Sequence, residues 1–215
     1  MFLVAIQNAA GKKIDFKKGK GVFMPDIYTG CTSANEALKG LFYFNRTFFT
    51  SACCKIYRAN IFRDMQFPKG LYYEDLATVY KIYSGSDRIA FTDEVLYGYR
   101  VNMSSIMHKS YSPKMLSCIE ISRQVYSDIA GKYPHLSKAA ASIAFNINRT
   151  VYLNLPHDRK EERRKVWAEI VKYRREVLTD KHARKRERIM ALCTYAGAEM
   201  FWLISGLFRL YHSKR

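Results

Sequence analysis

The chain has 215 residues, of which 48% are apolar and 14% aromatic, and this composition excludes a disordered protein. With 11 Gly and 5 Pro, it also excludes collagen-like and low-complexity classes. Its 36 Lys and Arg against 19 Asp and Glu give a formal net charge of +17. The length accommodates one large domain or two small ones, each with a buried core.

The positive charge is concentrated in the second half of the chain. Residues 108–215 carry 22 basic and 10 acidic side chains, against 14 and 9 in residues 1–107. Such a half favours anionic partners, which are lipid headgroups, nucleic acid or phosphorylated substrates, and charge alone does not choose among them. In the densest stretch, residues 158–188, the 13 basic and 7 acidic side chains are mixed, which is typical of a solvated helix face with ion pairs.

The cysteines indicate a reducing compartment. There are five, an odd number, and none of them forms a Cys-x-x-Cys motif. This pattern argues against a disulfide framework and against a zinc site, and it fits a cytoplasmic protein.

In chain order, the first half shows the alternation of an α/β protein. Apolar runs predict strands at residues 1–7, 21–24, 88–92 and 95–101. The capping-box pattern from Ser33 to Glu36 predicts a helix over residues 34–43. A turn at residues 67–70 precedes Glu74 and Asp75, which open a second helix.

From residue 112 onward the apolar spacing is helical. It predicts four helices, at residues 112–131, 135–154, 158–178 and 182–211. We therefore expect two domains: an α/β part over 1–110 and a basic, mainly helical extension over 111–215.

The segment 189–208 has three readings: an interfacial amphipathic helix, a helix docked on the core, or a membrane span. Glu199 at its centre makes a span costly. The interfacial reading is favoured by aromatic and basic side chains near the C-terminus, which settle at headgroup level. These are Phe201, Trp202, Phe208, Arg209, Tyr211, Lys214 and Arg215.

Four short motifs occur in order between residues 55 and 108. They are Lys-Ile-Tyr-Arg at 55–58, Phe-Pro-Lys-Gly-Leu-Tyr-Tyr-Glu-Asp at 67–75, Leu-Tyr-Gly-Tyr-Arg at 96–100 and Ser-Ser-Ile-Met-His at 104–108. In this order they resemble the acceptor-side half of bacterial family-2 glycosyltransferases, where K-L-Y-R, F-P-x-G-x-x-x-E-D, Y-x-Y-R and S-I recur. The resemblance covers roughly residues 1–110, and the helical tail fits only loosely.

The resemblance implies a GT-A fold and an inverting transfer of a sugar from a nucleotide diphosphate to an acceptor hydroxyl, with Mg²⁺ or Mn²⁺ on the diphosphate. It makes Asp75 the general base, since a hydroxyl that attacks the anomeric carbon must lose its proton. Glu74 would contact the acceptor or orient Asp75. The alternative is structural, because acidic residues in the first turn of a helix stabilise its dipole.

The resemblance extends to four further residues. Arg100 falls where the family has a basic residue near the diphosphate, although the second basic position of the family is Asn102 here. Ser105 matches the serine of the S-I pair, and His108 falls where a late histidine completes the metal site of some GT-A enzymes. Lys55 is either structural or in contact with the acceptor, and the sequence leaves both open.

The chain also departs from the family pattern. It contains no I-P-x-Y-N strand and no Asp-x-Asp metal motif, and its first strand resembles the one that follows that motif in the family. We therefore expect a partial GT-A-like mixed sheet with helices: the C-terminal, acceptor-side portion without the nucleotide-binding half. The divalent metal is expected from the family, although its usual carboxylates are absent from this chain.

The leading hypothesis is a hexosyltransferase, or a fragment of one, in bacterial cell-surface polysaccharide synthesis. Its partners would be a nucleotide-diphosphate sugar, a glycan or lipid-linked acceptor and an anionic membrane surface, with the protein peripheral on the cytoplasmic face of the membrane. One alternative is a non-catalytic basic module that binds nucleic acid. No helix-turn-helix, zinc-finger or RNP pattern supports it, so nucleic acid is not an expected partner. A second alternative is an inactive glycosyltransferase remnant.

Overall fold

The computed structural model describes residues 2–9, 30–44, 48–100 and 111–213; within these, residues 2–9, 92–96, 98–100 and 207–213 are described by backbone path. The chain divides into two compact units. The first contains the described residues up to Arg100 apart from the turn Gly70–Tyr73, and the second contains that turn and residues 111–213.

The first unit is built on a mixed four-stranded sheet in the order β2-β4-β1-β3. Its strands are β1 (Phe2–Ala9), β2 (Gly30–Thr32), β3 (Lys55–Ile56) and β4 (Ile89–Arg100). The central pair β1 and β4 is parallel, and each outer strand runs antiparallel to its neighbour. The expected mixed sheet with helices is therefore present.

The two short strands predicted at 88–92 and 95–101 are one continuous strand, β4. The prediction of a break was wrong because β1 pairs with both halves of β4, at Ala90 and Phe91 and again from Val95 onward, and the strand continues through Asp93 and Glu94 between them. The register against β1 shifts between Leu3 and Ile6, so the interruption in the sequence pattern survives as a local irregularity. The strand predicted at 21–24 lies outside the described residues.

Two helices accompany this sheet, α1 (Ala34–Phe42) and α2 (Glu74–Ser84), and they pack on each other. The hydroxyl of Ser33 accepts from the backbone N–H of Glu36 at 3.4 Å, so the predicted cap of α1 is present. Gly40 of α1 leaves room for the Phe48 ring, since a Cβ at Gly40 would lie 2.5 Å from a ring carbon.

The second unit is helical, with α4 packed between α3 and α5. Its helices are α3 (Ser117–Lys132), α4 (Ser137–Asn154), α5 (Lys160–Thr179), α6 (Lys185–Cys193) and α7 (Ala198–Ser213). Alanine-rich α4 buries Ala139, Ala140, Ala141 and Ala144 completely, which permits close approach of its neighbours. The predictions at 112–131, 135–154 and 158–178 are confirmed within a few residues, with 3₁₀ turns at Pro113–Leu116 and Pro134–Leu136.

The single helix predicted over 182–211 is wrong. The chain forms α6, a 3₁₀ turn at Thr194–Ala196, and then α7. Gly197 separates them with φ 92° and ψ 170°, a backbone conformation that is essentially restricted to glycine. The helical apolar spacing continues through this position, so periodicity alone did not reveal the break.

The start of α7 is docked on the core of its own unit. Phe201 is fully buried, and its ring centroid lies 5.4 Å from that of Trp167 and 6.1 Å from that of Tyr152. Of the three interpretations left open for 189–208, Phe201 therefore fits the helix docked on the core, because this ring fills a gap between helices. Among the described residues, no helix combines the length and apolar character that a membrane crossing requires.

Candidate functional site

The Glu-Asp pair follows a sharp turn of the backbone. Gly70 has φ 80° and Tyr73 has φ 66°, and α2 begins at the next residue, Glu74. A tyrosine in the left-handed region costs conformational energy, and such residues are found disproportionately at functional sites. The turn therefore places both carboxylates in the first turn of α2.

The carboxyl group of Asp75 is partly buried. Its Oδ1 accepts from the backbone N–H of Leu76 at 2.7 Å. Burial raises the pKa of Asp75 above its ordinary value, and the backbone hydrogen bond opposes this rise without cancelling it. Glu74 is exposed, so the two carboxylates differ in environment. The bond to Leu76 also agrees with the structural role of an acidic residue at a helix start.

Lys55, on β3, brings a cation into the electrostatic environment of Asp75. Its ammonium donates to the carbonyl of Ser51 and lies 3.6 Å from the centroid of the Phe49 ring. Burial lowers the pKa of Lys55 to about 7, while the negative charge of the Asp75 carboxylate opposes that shift. The charges of Lys55 and Asp75 therefore interact, and this interaction lowers the pKa of Asp75 in turn.

Tyr57 belongs to the same environment, although the sequence presented it only as a letter of the first motif. Its hydroxyl donates to the carbonyl of Ala52 at 3.3 Å. Burial, followed by the charges of Cys53 and Asp75, raises the pKa of Tyr57, so the phenol remains protonated. The available signal in the sequence was its position in the Lys-Ile-Tyr-Arg motif, two residues after Lys55.

Two adjacent cysteines precede Lys55 and have unequal exposure. Cys53 is exposed, whereas Cys54 is buried and has φ 62°. Burial raises the pKa of Cys54 to about 11, so this thiol is not ionised at neutral pH. Since a thiolate is needed for nucleophilic attack or metal binding, Cys54 fits a structural role.

Of the other three predicted site residues, the structure describes only the backbone of Arg100. Arg100 ends β4, and its backbone pairs with Ala9 in the parallel ladder. Ser105 and His108 lie outside the described residues. In the described ranges, no three or more His, Cys, Asp or Glu side chains are grouped as a metal site would require. The described carboxylates, Glu74 and Asp75, do not make up the donor set that Mg²⁺ or Mn²⁺ needs, so no step is assigned to a metal here.

Asp75, Lys55 and Tyr57 together form a partly buried group of interacting ionisable side chains within the first unit. Burial raises the pKa of Asp75 and lowers the pKa of Lys55, so both pKa values move in the direction of neutral pH. A carboxylate with a raised pKa is a better proton acceptor at neutral pH than an ordinary aspartate. The arrangement is suited to proton transfer from a bound hydroxyl group.

Comparison with protein-family models, with curated proteins and with solved structures found no match to this chain.

Proposed function

We propose that the chain is the acceptor-side part of an inverting glycosyltransferase with a GT-A fold. The observation that carries the proposal is Asp75: the last residue of the F-P-x-G-x-x-x-E-D motif is also a partly buried carboxylate with a raised pKa. Its position in the first turn of α2, after a left-handed tyrosine, supports the same reading.

In the proposed reaction the acceptor hydroxyl oxygen attacks the anomeric carbon of the donor sugar. The hydroxyl proton passes to the carboxylate of Asp75, a new C–O bond forms, and the bond to the nucleoside diphosphate breaks with inversion. Asp75 must be ionised to accept the proton, and the positive charge of Lys55 limits the rise of its pKa. Exposed Glu74 is available to bind a second acceptor hydroxyl.

The leaving diphosphate requires positive charge. In this proposal Arg100 and Ser105 bind donor or acceptor groups, with Arg100 toward the diphosphate. The donor is a nucleotide-diphosphate sugar, and the acceptor is a glycan or a lipid-linked glycan of the bacterial cell surface. Such an acceptor places the protein peripherally at the cytoplasmic face of the membrane.

The test measures nucleoside diphosphate release. The purified chain is incubated with UDP-, GDP- and dTDP-sugars, Mg²⁺ or Mn²⁺, and glycolipids extracted from bacterial envelopes. Acceptor-dependent release that Asp75→Asn abolishes and Asp87→Asn leaves intact would support the proposal. Asp87 is a suitable control because it is an exposed aspartate of the same unit.

A parallel test reads the DNA upstream of the Met1 codon for an in-frame I-P-x-Y-N strand and an Asp-x-Asp motif. If they are present, the assay is repeated on the extended protein. Absence of release from both forms, with every donor and acceptor, would overturn the proposal and leave the inactive remnant as the better interpretation.

A further inference from the structure

Large apolar side chains are exposed along one stretch of the second unit. Five of them, each between 45% and 58% exposed, fall within 15 consecutive positions. They are Ile189, Leu192, Tyr195, Met200 and Leu203. Exposed apolar groups of this size, clustered together, mark an interaction surface more often than single exposed leucines do.

Helix α6 exposes apolar side chains on the side that faces away from its buried residues. Its buried residues are Glu187, Met190 and Ala191. At 100° per residue, Lys185, Ile189 and Leu192 share the opposite side of the helix, at spacings of four and three. The outward face of α6 is therefore a mixture of cationic and apolar side chains.

The charge on this outward face has one sign. Residues 181–192 contain five Lys and Arg and a single acid, Glu187. Glu187 is buried and accepts from Arg149 at 3.1 Å, so its charge is already compensated inside the unit. Lys185 is exposed on the outward face, and Arg186, also exposed, lies at its margin, 100° around the helix and beside a cleft against α4. An occupant that is anionic and also offers an apolar phase to Ile189 and Leu192 complements this face.

We infer that Lys185, Arg186, Ile189, Leu192 and Tyr195, here called the α6 surface, bind an anionic lipid bilayer. A bilayer provides both requirements, since its phosphates attract Lys and Arg and its acyl boundary accepts leucine and isoleucine side chains. Tyr195 fits the headgroup level, where its ring lies 4.0 Å from the guanidinium carbon of Arg174. A second copy of the chain would set cations against cations.

The α6 surface differs from an interfacial helix over the whole of 189–208, which was one of the three interpretations of that segment. On α7, Met200 and Leu203 share their exposed side with Glu199, which an anionic surface repels. The membrane contact is therefore centred on α6 and the following 3₁₀ turn. The α6 surface rests on the proposed peripheral location and adds to it the residues that contact the membrane. Its test uses no sugar donor or acceptor, so either can fail without the other.

The experiment is flotation of the full chain with vesicles of phosphatidylcholine alone, or of phosphatidylcholine mixed with phosphatidylglycerol, at low and high salt. The wild type is expected to float with the anionic vesicles and much less with the neutral ones. Lys185→Gln/Arg186→Gln lowers the partition coefficient at least roughly tenfold. Ile189→Ser/Leu192→Ser lowers it on the same vesicles and leaves more of the binding sensitive to salt.

Two matched controls separate the surface from bulk properties. Arg164→Gln/Lys165→Gln removes the same number of charges from exposed positions of α5. Ile56→Ser removes an isoleucine that is 65% exposed in the first unit. Both controls are expected to float like the wild type, and circular dichroism confirms that all variants are folded.

Three results would overturn the inference. The first is a wild type that binds neither kind of vesicle. The second is an equal loss of binding in the α5 and α6 charge variants, which would indicate bulk charge attraction. The third is that Ile189→Ser/Leu192→Ser abolishes a dimer in gel filtration without changing flotation, which would assign the face to a second copy.

Discussion

The guanidinium of Arg149 donates to Oε1 of Glu187 at 3.1 Å, and both side chains are at least nine-tenths buried. The same carboxylate oxygen accepts from the amide of Asn146 at 3.1 Å. Since Arg149 and Asn146 lie on α4 and Glu187 lies on α6, this interaction joins the two helices and orients the outward face of α6.

We expect Glu187→Ala to destabilise the protein by about 3–5 kcal/mol, because it leaves the buried Arg149 charge without its carboxylate. The double variant Arg149→Met/Glu187→Leu should recover most of that loss, since apolar groups of similar volume replace both charges. Urea unfolding measures both effects. Glu161→Ala is the control: Glu161 forms only exposed ion pairs, so its loss should cost less than about 1 kcal/mol. Equal losses from Glu161 and Glu187 would contradict this account.

Asp75→Asn should reduce transfer by roughly 10²–10⁴-fold, since the amide cannot accept the hydroxyl proton. Glu74→Gln should alter KM more than kcat, because the exposed Glu74 is proposed to bind the acceptor. Steady-state kinetics separate the two effects, and unfolding midpoints show whether the fold is intact. If Asp75→Asn keeps full turnover, Asp75 serves only to stabilise the start of α2.

Lys55 should make stability depend on pH in a defined direction. Its pKa is lowered from 10.5 to about 7 in the folded protein, so the unfolded chain binds this proton more readily between those values. The contribution of Lys55 to stability is therefore fully present above pH 10.5 and decreases as the pH is lowered to about 7. Below about pH 7 the contribution of Lys55 no longer changes with pH.

Lys55→Met should remove this dependence. The unfolding free energy of the variant, relative to the wild type, should rise as the pH is lowered from the alkaline range to neutrality. Urea midpoints of both proteins across that range provide the measurement. Contacts of the charged ammonium with Ser51 and Phe49 are already contained in the folded pKa, and contacts of the neutral amine add a constant offset. Parallel curves would therefore show that Lys55 retains an ordinary pKa.

Gly197→Ala should destabilise the protein by about 1–3 kcal/mol, because φ 92° with ψ 170° is a glycine conformation. The matched control is Gly131→Ala within α3, where an added Cβ meets nothing within 4 Å. That substitution should stabilise by about 0.5–1 kcal/mol through helix propensity. Thermal unfolding compares the two, and a neutral Gly197→Ala would show that the α6–α7 junction adopts another conformation.

Much of the secondary structure follows from local signals. The Ser33 cap, the acidic start of α2 and the 3.6-residue spacing after residue 112 all act over one or two helical turns, so they can be read from neighbouring letters. The break at Gly197, just before α7, could not be read this way, because the apolar spacing continues across a residue whose backbone is not helical. The continuity of β4 likewise depended on its partner β1.

Some properties of the candidate site could also be predicted from the sequence, and others depended on the tertiary structure. The motif order in the sequence singled out Glu74, Asp75 and Lys55, because a motif is a property of spacing. The difference between the exposed Glu74 and the partly buried Asp75, and the lowered pKa of Lys55, depend on how far the folded chain removes each group from water. The compensation of Glu187 by Arg149, 38 positions away, is of the same kind. Such properties arise when folding removes water from a charge, and only the packed chain specifies where that happens.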